Sequence, residues 1–483
     1  MKTAMTLRET GTRRKWAVAS VVVLAVTLPL RAQNWPMWGG TASRNMSAAV
    51  TGLPETWDVG KKTNIKWKAD LGSTSYGNPV VADGKVFVGT NNANPRNPEI
   101  QGDKGVLMCF RESDGEFLWQ AASDKLPSGM ENDWPEQGVC SSPAVDGKRL
   151  YYVTNRAELV CLDTEGFRDG NNDGVTDEPR KGPTDADVIW KLDMMKELGV
   201  YQHNMANSSP VVWEDLVFVE TSNGRDDTHE KVRSPKAPSF MAVNKNTGKV
   251  VWQDASPGAD ILHGQWSSPM LAQVNDVMQV IFPGGDGWLY AFNARTGEPL
   301  WKFDLNPKDA VWPKTRNYGI ATPVFAEGKV FMAVGQEPES GEGIGHLYAI
   351  DPTRRGDITE SGRLWHYGAI RRSMSTAGVA NGILYITDFS GFLHAVDAQT
   401  GKGLWTYDGL AAVWGSPLVA DGKVYFGDED GDVAVLQAGR EMKKLAEINM
   451  GAAVYSSPVA ANGTLYIMTS SALYAIATPR AGK

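Results

Sequence analysis

Ser375 to Asp408 reads STAGVANGILYITDFSGFLHAVDAQTGKGLWTYD, and its alternation of apolar runs and turns decides the fold. A short run at Gly378 to Ala380 meets a turn at Asn381-Gly382, followed by Ile383 to Thr387. A turn at Asp388 to Gly391 then leads into Phe392 to Asp397, and Gln399-Thr400-Gly401 into a last run holding Trp405 and Tyr407. Asn-Gly pairs supply the positive φ that tight hairpins need, and β-branched or aromatic residues fill the runs between. The stretch predicts a four-stranded antiparallel meander.

The same unit recurs along the chain. Copies open near Pro79, Pro143, Pro210, Pro269, Pro323, Ala377, Pro417 and Pro458, and six carry a Trp in the last strand: Trp119, Trp190, Trp252, Trp301, Trp365 and Trp405. The seventh copy has Leu445 nearby, and the eighth, from Tyr455 to Ile476, stops without a fourth strand. Ile65 to Lys68 reads as an isolated final strand, so Trp67 is expected to complete the last unit. Such a split unit closes a ring and removes its open edges. The fold expected is all-β, an eight-bladed β-propeller spanning residues 61–478, with an arm over 33–60 and a tail over 479–483.

The segments AVDAQTGKGLW (395–405) and AFNARTGEPLW (291–301) resemble the tryptophan-docking motif of the pyrroloquinoline-quinone (PQQ) repeat, or quinoprotein-like, propellers. The resemblance covers about residues 61–478. That family includes alcohol dehydrogenases that use PQQ and calcium, and a non-catalytic barrel-assembly lipoprotein of the bacterial outer membrane. It implies PQQ and Ca²⁺ as candidate cofactors. The adjacent cysteine pair typical of many of those dehydrogenases is missing here, and their calcium ligands and catalytic Asp are not placed by any motif.

Residues 1–32 read as an export signal. Arg13-Arg14-Lys15 precede an apolar core from Trp16 to Leu30, which is short for a bilayer span of about 20 residues. An uncleaved anchor is the alternative. A periplasmic or secreted location follows, with no membrane span in the mature chain. Removing the signal shifts the formal charge from −8 to −13, six Lys/Arg and one Glu going with it. So acidic a body is a poor partner for nucleic acid. Cys109 and Cys161 occupy the slot where other copies have Ala, which marks them as small core residues.

Subtracting the minimal unit from the other copies isolates the insertions. The last two intervals between openings are 40 and 41 residues, against 64, 67 and 59 for the first three. Most insertions fall on one face, in the links between blades and the loops between second and third strands. His203, Asn204, His263, Gln265, Trp266, Arg316, Asn317, Arg371, Arg372 and Trp414 precede the blade openings and are expected to face the central funnel. Two readings stand side by side. Either the arginines pair carboxylates and a Trp stacks on a flat ring, giving a site for a small anionic or polar ligand such as PQQ or for a protein partner, or these side chains plug the ring and bond one another.

A second site is read from DGNNDGVTDE (169–178). Asp169, Asn171, Asp173 and Asp177 alternate as hard calcium ligands do, with Gly174 for the turn, and Glu178 stands in for the missing acidic residue at position twelve. A solvated acidic turn is the plain alternative. His229-Glu230 lacks the second His of a zinc-protease motif.

Overall fold

The computed structural model describes Met1 and residues 33–479 except Glu339; residues 2–32 of the expected export signal lie outside the described residues. Eight sheets follow one another, each built on four antiparallel strands, and two gain a short parallel fifth strand: Ser47–Ala48 beside Leu418–Ala420 and Gly356–Asp357 beside Pro299–Asp304. Blades 1 to 7 occupy 80–124, 144–193, 211–254, 270–304, 324–367, 378–408 and 418–449. Blade 8 combines Val459–Ala461, Thr464–Met468 and Ala472–Ile476 with Ile65–Asp70, in which Trp67 pairs with Ala475 as expected. The single α-helix among the described residues, Met194–Leu198, lies in the link after blade 2. No helix among them is long and apolar enough to cross a membrane. In the minimal unit, Asn381 and Gly382 both take positive φ (52° and 73°), the conformation a two-residue hairpin requires.

Each last-strand Trp pairs in its own sheet with a small residue: Trp119 with Cys109, Trp190 with Cys161, Trp365 with Ala349, Trp405 with Ala395. The indole then reaches the next blade. Trp67 Nε1 donates to the Glu112 carbonyl at 2.9 Å, Trp190 to Lys245 at 3.0 Å, Trp252 to Ala294 at 3.0 Å and Trp365 to Ala398 at 3.2 Å. The receiving turn carries a Gly in the left-handed region, where a Cβ would stand only 2.6–2.7 Å from the indole: Gly115, Gly248, Gly297 and Gly401. Trp301 departs from this pattern. The turn it meets in blade 5 is longer, and Gln279 relays the bond, accepting from Trp301 at 2.7 Å and donating to the Pro352 carbonyl at 3.1 Å.

The Ser-Pro openings have a role too. At six of the eight openings the amide before the opening residue donates to the side chain at the matching position of the next blade: Asn78 to Ser142 (3.0 Å), Ser142 to Ser209 (3.0 Å), Ser209 to Ser268 (2.9 Å), Thr376 to Ser416 (2.8 Å), Ser416 to Ser457 (2.7 Å) and Ser457 to Asn78 (2.6 Å). These bonds belt the ring near its axis.

The arm runs inside that ring and touches every blade. Trp35 bridges Val81 of blade 1, and the Pro36, Ala42, Ser43 and Met46 carbonyls accept from Val145, Leu271, Phe325 and Val419 of blades 2, 4, 5 and 7. Met46 N donates to the Ala377 carbonyl at the blade 6 opening, and Gln33 exchanges bonds with Asn462 of blade 8. Arg44, fully buried, donates to the carbonyls of Ser209 and Pro210 of blade 3, Pro269 at the blade 4 opening, and Trp38 of the arm itself. An irregular segment can be buried only when its backbone groups find partners, and the innermost strands supply them. Cys109, Cys140 and Cys161 are free, buried thiols.

Candidate functional site

In a meander, the second-to-third-strand loop and the link to the next blade emerge on the same side. Most insertions of blades 1 to 5 therefore share one face, whereas residues 164–187 of blade 2 and 351–362 of blade 5, between third and fourth strands, emerge on the other. On it, three segments are stitched together around blade 3: the link 194–206, the loop 221–239 and the link 255–265. His203 N donates to the Ser222 carbonyl at 3.2 Å, Gly224 N to Tyr201 at 2.9 Å and Arg225 N to His263 at 2.9 Å. Gly224 is needed for this approach, since a Cβ there would lie 2.6 Å from the His203 Cβ. The Arg225 side chain clamps the carbonyls of Ile261 (2.8 Å) and His229 (2.6 Å).

The result brings together His203, His229 and His263, three of the six histidines in the chain. Their ring centroids lie 4.6 Å (203–263), 4.5 Å (229–263) and 5.0 Å (203–229) apart. His203 and His263 are buried and His229 is exposed. His203 Nδ1 lies 2.8 Å from the Arg225 carbonyl, which can only accept, so this nitrogen carries the proton. His263 Nδ1 lies 3.1 Å from the Tyr318 hydroxyl and 3.4 Å from Glu337 Oε1. The Nε2 atoms of His203 and His263 are buried and have no partner. Burial, then the neighbouring His263, pushes the His203 pKa down to about 3, so the ring is neutral at physiological pH. Burial lowers His229 as well. Burial pushes the Glu337 carboxyl up, but hydrogen bonds from His263 and Ser340 outweigh it and hold the carboxyl below its ordinary value. Trp266 walls one side, 5.1 Å from His263 and 5.8 Å from His203, with its Nε1 donating to the His203 carbonyl at 3.1 Å.

The other residues read from the sequence are distributed around this cluster. Gln265 is fully buried and spent on structure, donating to the Asn223 carbonyl and Ser239 Oγ. Asn204, at φ 57°, bonds through its backbone to Glu131 and Trp134. Asn317 N donates to Asn306 Oδ1 at 2.7 Å, and the Asn317 carbonyl accepts from Asn306 Nδ2 at 3.0 Å. Arg316 pairs with Asp304 at 3.2 Å and donates to the Asp286 carbonyl at 3.0 Å. Arg372 donates to the Glu337 carbonyl at 2.5 Å, and Arg371 is exposed. Trp414 lies in a separate aromatic group with Phe389 (5.1 Å), Tyr76 (6.1 Å) and Tyr455 (6.1 Å), its Nε1 donating to Glu429 at 3.2 Å. Glu337 and Arg225 carry no sequence signal and His229 only an incomplete protease pattern; the concentration of half the histidines around blade 3 is the available signal.

In the acidic loop, Asp169 accepts from the backbone and side chain of Asn171 (2.9 and 3.1 Å), and Asp173 N donates to Asp187 Oδ2 at 2.9 Å. Val188 N donates to Glu178 Oε1 at 3.3 Å, while Glu178 Oε2 and Asp187 Oδ1 are buried without partners. Burial, reinforced by Glu178 and Asp173, pushes the Asp187 pKa up to about 6. Among the described residues, three His, Cys, Asp or Glu ligand atoms converge only at the histidines. Asp286 sits in a tight turn closed by Gly287 N to the Gly284 carbonyl, and accepts from Tyr290 Oη at 2.7 Å.

A family model described as outer membrane protein assembly factor BamB matches residues 285–483, and one described as the β-propeller domain of glucose/ethanol/alcohol dehydrogenase matches 212–314. BamB of Shewanella oneidensis is 21% identical over 412 residues, covering 77% of this chain and 88% of that protein. The quinoprotein alcohol dehydrogenase PedH of Pseudomonas putida is 27% identical over 223 residues, 43% of this chain, and only 33% of PedH is spanned. The solved quinohemoprotein alcohol dehydrogenase of Comamonas testosteroni superposes with a TM-score of 0.63 at 15% identity, covering 93% of this chain and 81% of that one, a likeness of fold alone.

Proposed function

We propose that this eight-bladed β-propeller, similar to PQQ-type family models over 212–314 and 285–483, is an exported binding propeller, which engages a protein partner or a small ligand through the face carrying the insertions. One observation carries the reading. Of the large apolar side chains left exposed on the propeller, Met130, Val311, Ile344 and Leu410 stand on links or loops of this face, whereas Val251 and Leu364 lie on outer strands and Met442 in the turn between the third and fourth strands of blade 7. Glu342 N donates to the Lys314 carbonyl at 2.9 Å, which brings the loops of Val311 and Ile344 side by side, and exposed apolar side chains on adjoining loops mark an interaction surface. Photo-crosslinking residues placed at Val311 and Ile344 in cells are expected to give discrete adducts, and the same residue at Val251 none. Equal yields at all three positions would remove the assignment of the face.

A PQQ- and calcium-dependent dehydrogenase is the second reading, favoured by the family match over 212–314. The funnel side chains fit that cofactor poorly. Arg316 and Arg372 are already engaged by protein acceptors, which leaves Arg371 alone for a tricarboxylate, and the convergent donors are imidazoles rather than the oxygens calcium takes. Reduction of an artificial electron acceptor on addition of PQQ, Ca²⁺ and an alcohol would reinstate it. Calcium at 169–178 belongs to the proposal as a structural ion, supported by the unpartnered oxygens of Glu178 and Asp187.

A further inference from the structure

We propose that His203, His229 and His263 form a binding site for one divalent transition-metal ion, with zinc the ion their chemistry fits. The site lies on the insertion-bearing face but needs no partner bound there, and it is separate from the acidic loop.

Three features make the group a ligand set. One ring nitrogen from each histidine lies within 4.8 Å of those of the other two, although the residues come from three separate segments. Two of the nitrogens, His203 Nε2 and His263 Nε2, are buried and bonded to nothing. A buried polar atom without a partner costs about 1–3 kcal/mol, and a cation accepting both lone pairs removes that cost. The opposite nitrogens are already held: His203 Nδ1 by the Arg225 carbonyl at 2.8 Å, and His263 Nδ1 by Tyr318 and Glu337. Metal-bound imidazoles ordinarily have such an outer contact, which fixes the tautomer and turns the free lone pair toward the ion.

The donor type selects the metal. Neutral imidazoles suit zinc, copper, iron and nickel, whereas calcium and magnesium require oxygen. A zinc ion about 2.0–2.1 Å from each nitrogen needs the three closer together than their present spread. His229, exposed on the loop 221–239, is the ligand free to draw in. Three protein nitrogens leave a further coordination position for water or an added ligand.

Structural packing is the competing account: three imidazoles, tilted or edge-on to one another, simply filling the junction of the blade 3 loops. Metal binding separates the two. The metal-stripped full chain is titrated with Zn²⁺, and with Co²⁺ for its ligand-field spectrum. One ion per chain with the absorption of nitrogen-ligated, low-coordinate cobalt is expected. His229→Ala, at an exposed position that leaves the fold intact, should weaken binding at least about tenfold, and Glu337→Gln by about 10–100-fold. His346→Ala, at the His346–His366 contact in blade 5, should leave it unchanged. Absence of a bound ion, or binding that survives both His229→Ala and His263→Ala, would overturn the assignment.

Discussion

Arg44 Nε donates to the carbonyl of Pro269 at 2.8 Å, so a side chain of the N-terminal arm holds the opening of blade 4. Its Nη atoms take the carbonyls of Trp38, Ser209 and Pro210. Burial lowers its pKa to about 9, which leaves it charged at neutral pH. Hydrogen bonds to a charged group contribute about 1.5–3 kcal/mol each where they can be isolated. Arg44→Ala should therefore cost several kcal/mol, seen as a large drop in the denaturation midpoint, with Arg44→Lys recovering only part. An unchanged midpoint would mean that the arm is not integral to the ring.

Docking of Trp365 against Gly401 separates two costs of a side chain at a left-handed position. Gly401→Ala places a Cβ 2.6 Å from the indole, whereas Gly382→Ala, at a similar φ, meets nothing within 4 Å. Both variants carry backbone strain of about 1–2 kcal/mol. Gly401→Ala should lose about 1–3 kcal/mol beyond that. Equal losses in thermal denaturation would show that indole docking adds nothing.

Burial raises the Asp286 pKa from 3.8 to about 6. Between those values the folded chain holds the proton that the unfolded chain has released, so this residue's contribution to stability falls as pH rises through the window. Two units correspond to at most about 3 kcal/mol. Asp286→Asn should melt above the parent protein at pH 7, with the difference vanishing near pH 4. A gap independent of pH would contradict the shift.

Calcium at the 169–178 loop predicts a higher melting temperature in millimolar Ca²⁺, since an ion at one hundred times its dissociation constant adds about 2.7 kcal/mol. Asp187→Asn should abolish the increment. If Ca²⁺ produces no shift in the parent chain, the loop is a solvated turn.

The blades were legible because their determinants are local. Ala395, Gly401 and Trp405 fall within eleven residues, and each copy repeats the signal. Residues that meet across the ring were not. From sequence Arg316 fits a ligand-binding arginine and a ring plug equally well, and no local pattern points to Asp304, only twelve residues earlier, as its partner. His203, His229 and His263 share no motif spacing, and His229 was weighed only against a protease pattern. Their meeting depends on how two links and a loop fold over blade 3, which no local period encodes. The arm's irregular sequence likewise concealed backbone bonds to partners as distant as Asn462, 429 residues from Gln33.

That last span has a consequence for biogenesis. The ribosome delivers residues 33–70 before any of blades 1 to 7, yet their partners in blades 7 and 8 follow only after blades 1 to 6. Early blades can form hairpins as they emerge, but the arm cannot seat, nor Trp67 find Ala475, until nearly the whole chain exists. Such long-range closure is slow. A nascent chain therefore stays unlatched and sensitive to proteases until its final strands arrive, and a product truncated before blade 8 cannot pass for the finished ring.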